Sequence, residues 1–215
     1  MTDRATCAGD LAAAVEACVA GGVDLVQVRE RALGGAALLE HVDALLAAAR
    51  RGARARGGRV QVVVNRRIDV ALAAGADGAH LGFDALPADA ARALLGPDAC
   101  LGVSAHAPEE ILALDRAAGA DRAERAAPLV DYAHLAPIFA PLSKPATRPP
   151  LGLDALARAC AGSLPVLAQG GITAANAAAC VRAGAAGVAV TGELLLAPDP
   201  GAAARRLRQL LDNGV

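Results

Sequence analysis

Several short stretches of this chain combine residue types suited to holding an anion. In Gln27-Val28-Arg29-Glu30-Arg31 the alternation puts Gln27, Arg29 and Arg31 on one side of an extended segment. Arginine suits phosphate oxygens because its planar guanidinium donates two parallel hydrogen bonds. A strand end laced by salt bridges has the same signature, and both readings stand at this point. Asn65-Arg66-Arg67 places further polar groups directly behind the apolar Val62-Val63-Val64. Later, Gly170-Gly171-Ile172-Thr173 follows the apolar run Leu164-Pro165-Val166-Leu167-Ala168 and is expected to open a helix. Glycine lets an anion approach the backbone, and a helix N-terminus adds free N–H groups and a positive dipole end. Thr191-Gly192 follows Val190 in the same way. The plain alternative for both is an ordinary strand-to-helix turn.

The remaining chemical groups are weaker signals. Lys144 lies in Phe139-Ala140-Pro141-Leu142-Ser143-Lys144-Pro145, where it is either a solvated charge or a cation that closes on an anion. His41 falls inside a helical pattern and His134 inside a strand, which suits structural roles. His80 shares the parity of Gly78 and Gly82, and His106 lies just past a strand end. No histidine pair has metal-ligand spacing, and Ser104 lies in no Gly-x-Ser-x-Gly elbow, so zinc and nucleophilic triads are disfavoured. Cys7, Cys18, Cys100, Cys160 and Cys180 lie far apart, without a Cys-x-x-Cys, and read as small buried thiols.

These residues need elements to hold them, and one unit recurs. A helix closes on Ala-Gly, and a short apolar run follows, at Ala20-Gly21, Ala74-Gly75 and Ala183-Gly184. Glycine just past a helix end accepts the left-handed conformation that stops the helix. The pattern predicts strands near 24–29, 60–64, 78–82, 100–103, 131–136, 164–168 and 187–190. Helices are expected near 9–20, 35–54, 66–74, 87–95, 107–118, 152–162, 173–183 and 202–212. Within the second helix Leu38, Val42, Leu45, Leu46 and Ala49 recur at helical spacing and mark its buried face. Strands alternating with helices indicate βαβ units and a parallel sheet, here a single-domain α/β (β/α)₈ TIM barrel over residues 1–215. An eighth strand would have to come from Met1-Thr2-Asp3, so the first strand is expected to be truncated or a stub. Residues 121–130 read as a surface insertion. Pro137 to Pro150 carries prolines at 137, 141, 145, 149 and 150 and follows a strand end, where such barrels build their active sites.

At 215 residues the chain fits one barrel of about 200–250 residues. It has no Trp, one Tyr and two Phe, too few rings for a single-stranded nucleic-acid platform. A formal net charge of −1 gives no general attraction to nucleic acid or anionic membrane, so any anion site must be local. No apolar run reaches the ~18 residues of a spanning helix, and the start lacks a signal-peptide layout, so a cytoplasmic location is expected. The expected partners are small phosphorylated molecules, not nucleic acid or membrane. A homo-oligomer is compatible with the sequence, which does not specify one.

Taken in order, Thr2-Asp3-Arg4, Gln27–Arg31, Val64-Asn65-x-Arg67, Gly75-Ala76-Asp77-Gly78-x-His80-Leu81-Gly82, Gly102-Val103-Ser104-x-His106, Pro137-Ile138-Phe139…Ser143-Lys144 and Gly170–Thr173 resemble a known family. It is that of thiamine-phosphate synthase and its relative, the TenI-type thiazole tautomerase, and the resemblance runs from Thr2 to about Pro200. The synthase joins hydroxymethylpyrimidine pyrophosphate to a thiazole phosphate and releases pyrophosphate. The resemblance implies that Gln27, Arg29, Arg31, Asn65 and Lys144 hold the pyrimidine pyrophosphate, with Ser104 near the ring. Arg29, Asn65, Ser104 and Lys144 would carry the catalysis. Gly171, Thr191, Gly192 and the Pro141–Ser143 loop would hold the thiazole phosphate.

The departures fall on the metal. The resemblance implies Mg²⁺ bound by one Asp where this chain has Arg66 and a second where it has Ala85, with Asp84 one residue early. The loop's Thr-x-Thr-Lys is Pro141-Leu142-Ser143-Lys144, which loses one hydroxyl, and Arg31 replaces a Lys. Magnesium with one Asp contributes a net +1, as does Arg66, so a guanidinium can stand in for part of the metal as a diphosphate clamp. Weak or lost synthase activity with retained anion binding is therefore expected. Two alternatives stay open: a metal-free tautomerase, and a catalytically idle phosphate-binding regulatory barrel. One form of the tautomerase has a catalytic His where this chain has Pro137, leaving His80 or His106 to serve.

Overall fold

The computed structural model of the chain describes residues 1–120, 128–140 and 148–213, with the backbone alone at 117–120. Part of the expected insertion, 121–127, and part of the proline-rich loop, 141–147, lie outside the described residues. In chain order the elements are α1 (Leu11–Ala20), β1 (Leu25–Val28), α2 (Gly35–Ala55), β2 (Gln61–Asn65), α3 (Ile68–Ala74), β3 (Gly78–Leu81), α4 (Ala88–Leu95) and β4 (Cys100–Ala105). There follow α5 (Pro108–Ala120), β5 (Tyr132–Leu135), α6 (Gly152–Ala159), β6 (Val166–Gln169), α7 (Ala177–Arg182), β7 (Gly187–Ala189), α8 (Gly192–Leu195) and α9 (Pro200–Asp212). The fold is of the α/β class, TIM-like, with parallel strands alternating with helices as the repeating unit implied.

Two compact units make up the chain: Met1–His80 with Thr191–Gln209, and Leu81–Val190 with Leu210–Val215. In the first, β1, β2 and β3 pair in parallel in chain order, Val26 beside Val62 and Asn65 beside His80. Val62, Val63 and Val64 are at most 1% exposed, so β2 is covered on both faces as parallel strands require. The helix face predicted for α2 is buried at Leu38, Val42, Leu45, Leu46 and Ala49. There α2 meets α1 so closely that a Cβ on Gly52 would lie 2.4 Å from the Glu16 carbonyl oxygen. In the second unit β4, β5, β6 and β7 are parallel, Ser104 beside His134 and Gln169 beside Ala189.

Aspartates knit the strands at their N-terminal edge. The Asp77 N–H donates to Val62 O (2.9 Å) while its carboxylate Oδ2 accepts from Val62 N–H (2.7 Å). Asp131 repeats this across β4, its N–H donating to Leu101 O (2.8 Å) and its Oδ2 accepting from Leu101 N–H (2.7 Å). Each side chain thus extends the ladder by one acceptor where the backbone alone would leave a donor orphaned. Asp24 serves the same edge differently, pairing with Arg56 at 3.1 Å and with Arg208.

Several boundaries differ from the expected ones. No strand precedes α1; a single backbone bond, Thr2 N–H to Gln27 O at 2.8 Å, lays the stub beside β1. The helix expected from 173 begins at Ala177, because the Asn176 side chain holds the preceding turn. Its Oδ1 accepts from Thr173 N–H (2.8 Å) and its Nδ2 donates to Gly171 O (2.9 Å). The short α8 was hidden by the prolines at 198 and 200, which separate it from α9. After α1 the left-handed residue is Gly22 (φ 115°), the second of the Gly-Gly pair that closes the helix, and Gly75 takes the left-handed cap of α3 as predicted.

Arg92 is the hub of the second unit's lower edge. On α4 and nearly buried, it donates to the carbonyls of Ala99 (2.6 Å), Gly96 (3.1 Å) and Leu129 (3.3 Å) and to Asp131 Oδ2 (2.8 Å). Arg92→Met keeps the stem but strands these acceptors and the carboxylate. It should lower the unfolding free energy by about 3 kcal/mol, measured by urea denaturation.

Candidate functional site

In the first unit the polar residues gather where β1 and β2 end. Gln27 lies in β1 and is 2% exposed, and its Nε2 has no hydrogen-bond partner among the described residues. A buried amide donor without a partner costs on the order of 1–3 kcal/mol unless a ligand accepts from it. Val28 pairs with Val64, so Arg29 and Asn65 follow at the same level of adjacent strands. Arg29 is half-buried, and burial followed by the neighbouring Arg31 pulls its guanidinium below the ordinary arginine range. Arg31 is exposed.

Arg66 is the one non-glycine residue with positive φ (67°) among those described. Its N–H donates to His80 O at 2.8 Å, fixing the turn that carries it. A non-glycine residue in the left-handed region costs roughly 1–2 kcal/mol, and such strain clusters where function requires it. Arg67, by contrast, is committed locally: its Nε and Nη2 donate to Asp69 Oδ1 (2.8 Å) and Oδ2 (2.6 Å) at the start of α3. Thr191 lies just before α8 and Gly192 opens it; the Thr191 carbonyl accepts from Leu194 and Leu195 N–H.

The second unit holds Ser104, Gly171 and Asp84. Ser104 is the penultimate residue of β4, and His106 stands just past that strand. The His106 Nδ1 lies 2.6 Å from Ala136 O, a carbonyl that can only accept, so Nδ1 carries the proton and a neutral ring bears its lone pair on Nε2. Phe83 stacks on His106 with ring centroids 4.0 Å apart, and the Arg148 guanidinium lies 5.6 Å over Phe83. Sequence reasoning missed this cluster. No periodicity relates Phe83, His106 and Arg148, which stand far apart in the chain and meet only in the folded second unit.

Gly170 and Gly171 have a packing reason that owes nothing to a ligand. Both have positive φ, and a Cβ on Gly171 would lie 2.3 Å from the Ala140 carbonyl oxygen. Asp84 is exposed in the turn after β3. Lys144 and Ser143 lie outside the described residues. Among the described residues no three His, Cys, Asp or Glu side chains group to hold a metal ion. With Arg66 and Ala85 at the two positions where the resemblance puts carboxylates, the donor set does not fit a magnesium site.

His134 and Gln169 form a further buried pair that the sequence did not reveal. His134 Nδ1 is 3.0 Å from Gln169 Oε1, and Tyr132 lies against the imidazole at 5.4 Å between centroids. Burial drives the His134 pKa down to about 4, so the ring is neutral near pH 7. The unfolded chain binds a proton near pH 6.5 that the folded chain refuses until about 4, so stability falls as pH drops through that window. The loss should reach about 3 kcal/mol by pH 4. In denaturation series from pH 7 to pH 4, His134→Leu should flatten that slope.

Comparisons with known proteins place the chain among characterised sequences. Residues 1–194 match the family described as thiamine monophosphate synthase. A thiamine-phosphate synthase of Roseiflexus castenholzii is 43% identical over 194 residues, 90% of this chain and 78% of that protein. A putative thiamine-phosphate synthase of Geobacter sulfurreducens is 41% identical over 213 residues, covering 98% and 92%. Among solved structures, thiamine phosphate pyrophosphorylase from Pyrococcus furiosus superposes with a TM-score of 0.81 at 25% identity, covering 99% of this chain and 94% of that one. A 3-hexulose-6-phosphate synthase at TM-score 0.59 and 23% identity shares the fold.

Proposed function

Because the chain belongs to the thiamine monophosphate synthase family, we propose that it joins hydroxymethylpyrimidine pyrophosphate to thiazole phosphate. The pyrimidine's methylene carbon exchanges its bond to a diphosphate oxygen for one to the thiazole nitrogen, and pyrophosphate leaves. The observation that carries this reading is the buried, unpartnered Gln27 amide beside Arg29 at the strand ends. A donor left orphaned in the interior is a donor kept for an acceptor, and Arg29 supplies the charge that an anionic acceptor needs.

In this reading Gln27, Arg29, Arg31 and Asn65 bind the diphosphate, and the family resemblance assigns Lys144 and Ser143 to the phosphate ligands as well. Charge accumulates on the leaving diphosphate as the bond breaks, so fixed guanidinium groups lower the barrier more than they tighten the ground state. The family resemblance assigns Ser104 to the pyrimidine ring and Gly171, Thr191 and Gly192 to the thiazole phosphate. Arg66 takes over part of the charge that a metal would bring, and its left-handed turn is the conformational cost of presenting it. At about 4 Å such a charge pair contributes only ~1–4 kcal/mol near a wet surface, which supports slow rather than fast coupling.

A second reading, the tautomerase, draws on one observation: the Ala136 contact gives a neutral His106 a lone pair on Nε2, which suits a base. Coupling of the two substrates, with and without chelator, separates the two. The synthase reading expects slow coupling that EDTA leaves largely unchanged, because the arginine clamp needs no metal. Strictly magnesium-dependent, fast turnover would refute the arginine clamp, and absence of coupling with isomerisation of the thiazole would favour the tautomerase. Arg66→Gly should weaken binding of inorganic pyrophosphate at least about fivefold. The same substitution should raise the melting midpoint by about 2–4 °C through relief of the left-handed strain.

A further inference from the structure

Two fragments prominent in the sequence, Thr2-Asp3-Arg4 and the Glu30 that interrupts Arg29 and Arg31, have no part in binding, yet the first unit brings them together. Thr2 is 2% exposed. Its backbone N–H donates to Gln27 O at 2.8 Å, and its hydroxyl does two jobs at once. That hydroxyl accepts from the Arg29 N–H (3.0 Å) and donates to Glu30 Oε1 (3.2 Å). The same carboxylate accepts from Arg4 N–H at 3.2 Å and lies 3.8 Å from His41 Nε2, its side chain 10% exposed. Asp3 makes the turn between them, its carbonyl accepting from Thr6 and Cys7 and its carboxylate from Ala5 N–H.

The arrangement is directional. Glu30 turns its carboxylate back to the first residues, where the Thr2 hydroxyl and the Arg4 N–H both donate to it. β1 ends at Val28, so no strand ladder holds the Arg29 backbone. The Thr2 hydroxyl replaces the missing ladder bond, and Glu30 fixes that hydroxyl's orientation. A guanidinium must be placed to within a fraction of an ångström for two parallel hydrogen bonds, and its reach is set by where its backbone is held.

We propose that Thr2 and Glu30 are positioning residues for Arg29, a hydroxyl–carboxylate clamp that aims the guanidinium at the diphosphate. The inference rests on the reading of Arg29 as a diphosphate ligand. Calorimetric titration of the full chain with inorganic pyrophosphate tests both. Thr2→Val keeps the shape and removes the hydroxyl; it should weaken binding about fivefold, the worth of one such hydrogen bond. Thr2→Ser should restore binding to within about twofold, since it returns donor and acceptor together. The double variant Thr2→Val/Arg29→Met should bind no more weakly than Arg29→Met alone, because Thr2 acts only through Arg29.

Glu30→Ala supplies a test by sign, and carries the question alone if Thr2→Val does not fold. Removing a carboxylate beside two arginines should tighten anion binding if only charge matters; the clamp requires it to weaken. Unchanged binding in Thr2→Val, additive losses in the double variant, or tighter binding in Glu30→Ala would each overturn the inference while leaving Arg29 as a ligand. Unchanged binding in Arg29→Met would remove the ligand reading, and the clamp with it.

Discussion

A parallel strand can satisfy its backbone only along its length, and in each unit every strand leaves its ladder at the same edge. The rest of this structure follows from that constraint. Strands β2 and β3 are buried on both faces, so they have no side on which a polar group can meet water. Polar side chains must therefore sit at the ends or be satisfied inside. At the N-terminal edge the solution is structural: Asp77 and Asp131 close the ladder with their carboxylates, and Arg92 ties the second of them to surrounding carbonyls. At the C-terminal edge of the first unit the Gln27 Nε2 has no such partner among the described residues, which is the ground for placing the proposed site there.

The contrast is clearest among the arginines. Arg92 and Arg67 are bound to carboxylates in their own unit, Asp131 and Asp69, and do structural work. Arg29 has its backbone held by Thr2 but its guanidinium close to another cation, Arg31, which lowers its pKa after burial has done so. The carboxylates of Asp3 and Glu30 offset only part of that cost, and an arriving anion would offset more. Arg66 adds backbone strain to the same account. Together with the orphaned Gln27 amide, these features concentrate unfavourable free energy at the ends of β1 and β2, and a bound diphosphate would relieve it. A fold of marginal stability keeps such terms only where something offsets them.

The same logic separates glycines that look alike. Gly170 and Gly171 stand where an anion site was expected, yet the approach of Pro137 and Ala140 already requires a residue without a side chain at both. A phosphate there would exploit a backbone opened for packing. The His134–Gln169 pair shows the internal alternative: a polar group deep in the fold is accommodated by a partner and by staying neutral.

What the sequence determined by itself is the alternation of strands and helices, α8 excepted, and the list of chemically able residues. Strand and helix periodicity, with Gly75 closing α3, placed every strand to within two residues at either end, because burial imposes a repeat that side chains must obey. Gln27, Arg29, Arg31 and Asn65 stood out as candidates because residue type and position at a strand end are local properties of the sequence. Tertiary structure alone decided which of the able residues are already spent. That Arg67 belongs to Asp69, that Asn176 delays α7, that Phe83 covers His106 and that Thr2 reaches Arg29 are facts of distance between segments. Periodicity records which face is buried but not what lies opposite it, so these contacts had no signature in the order of residues.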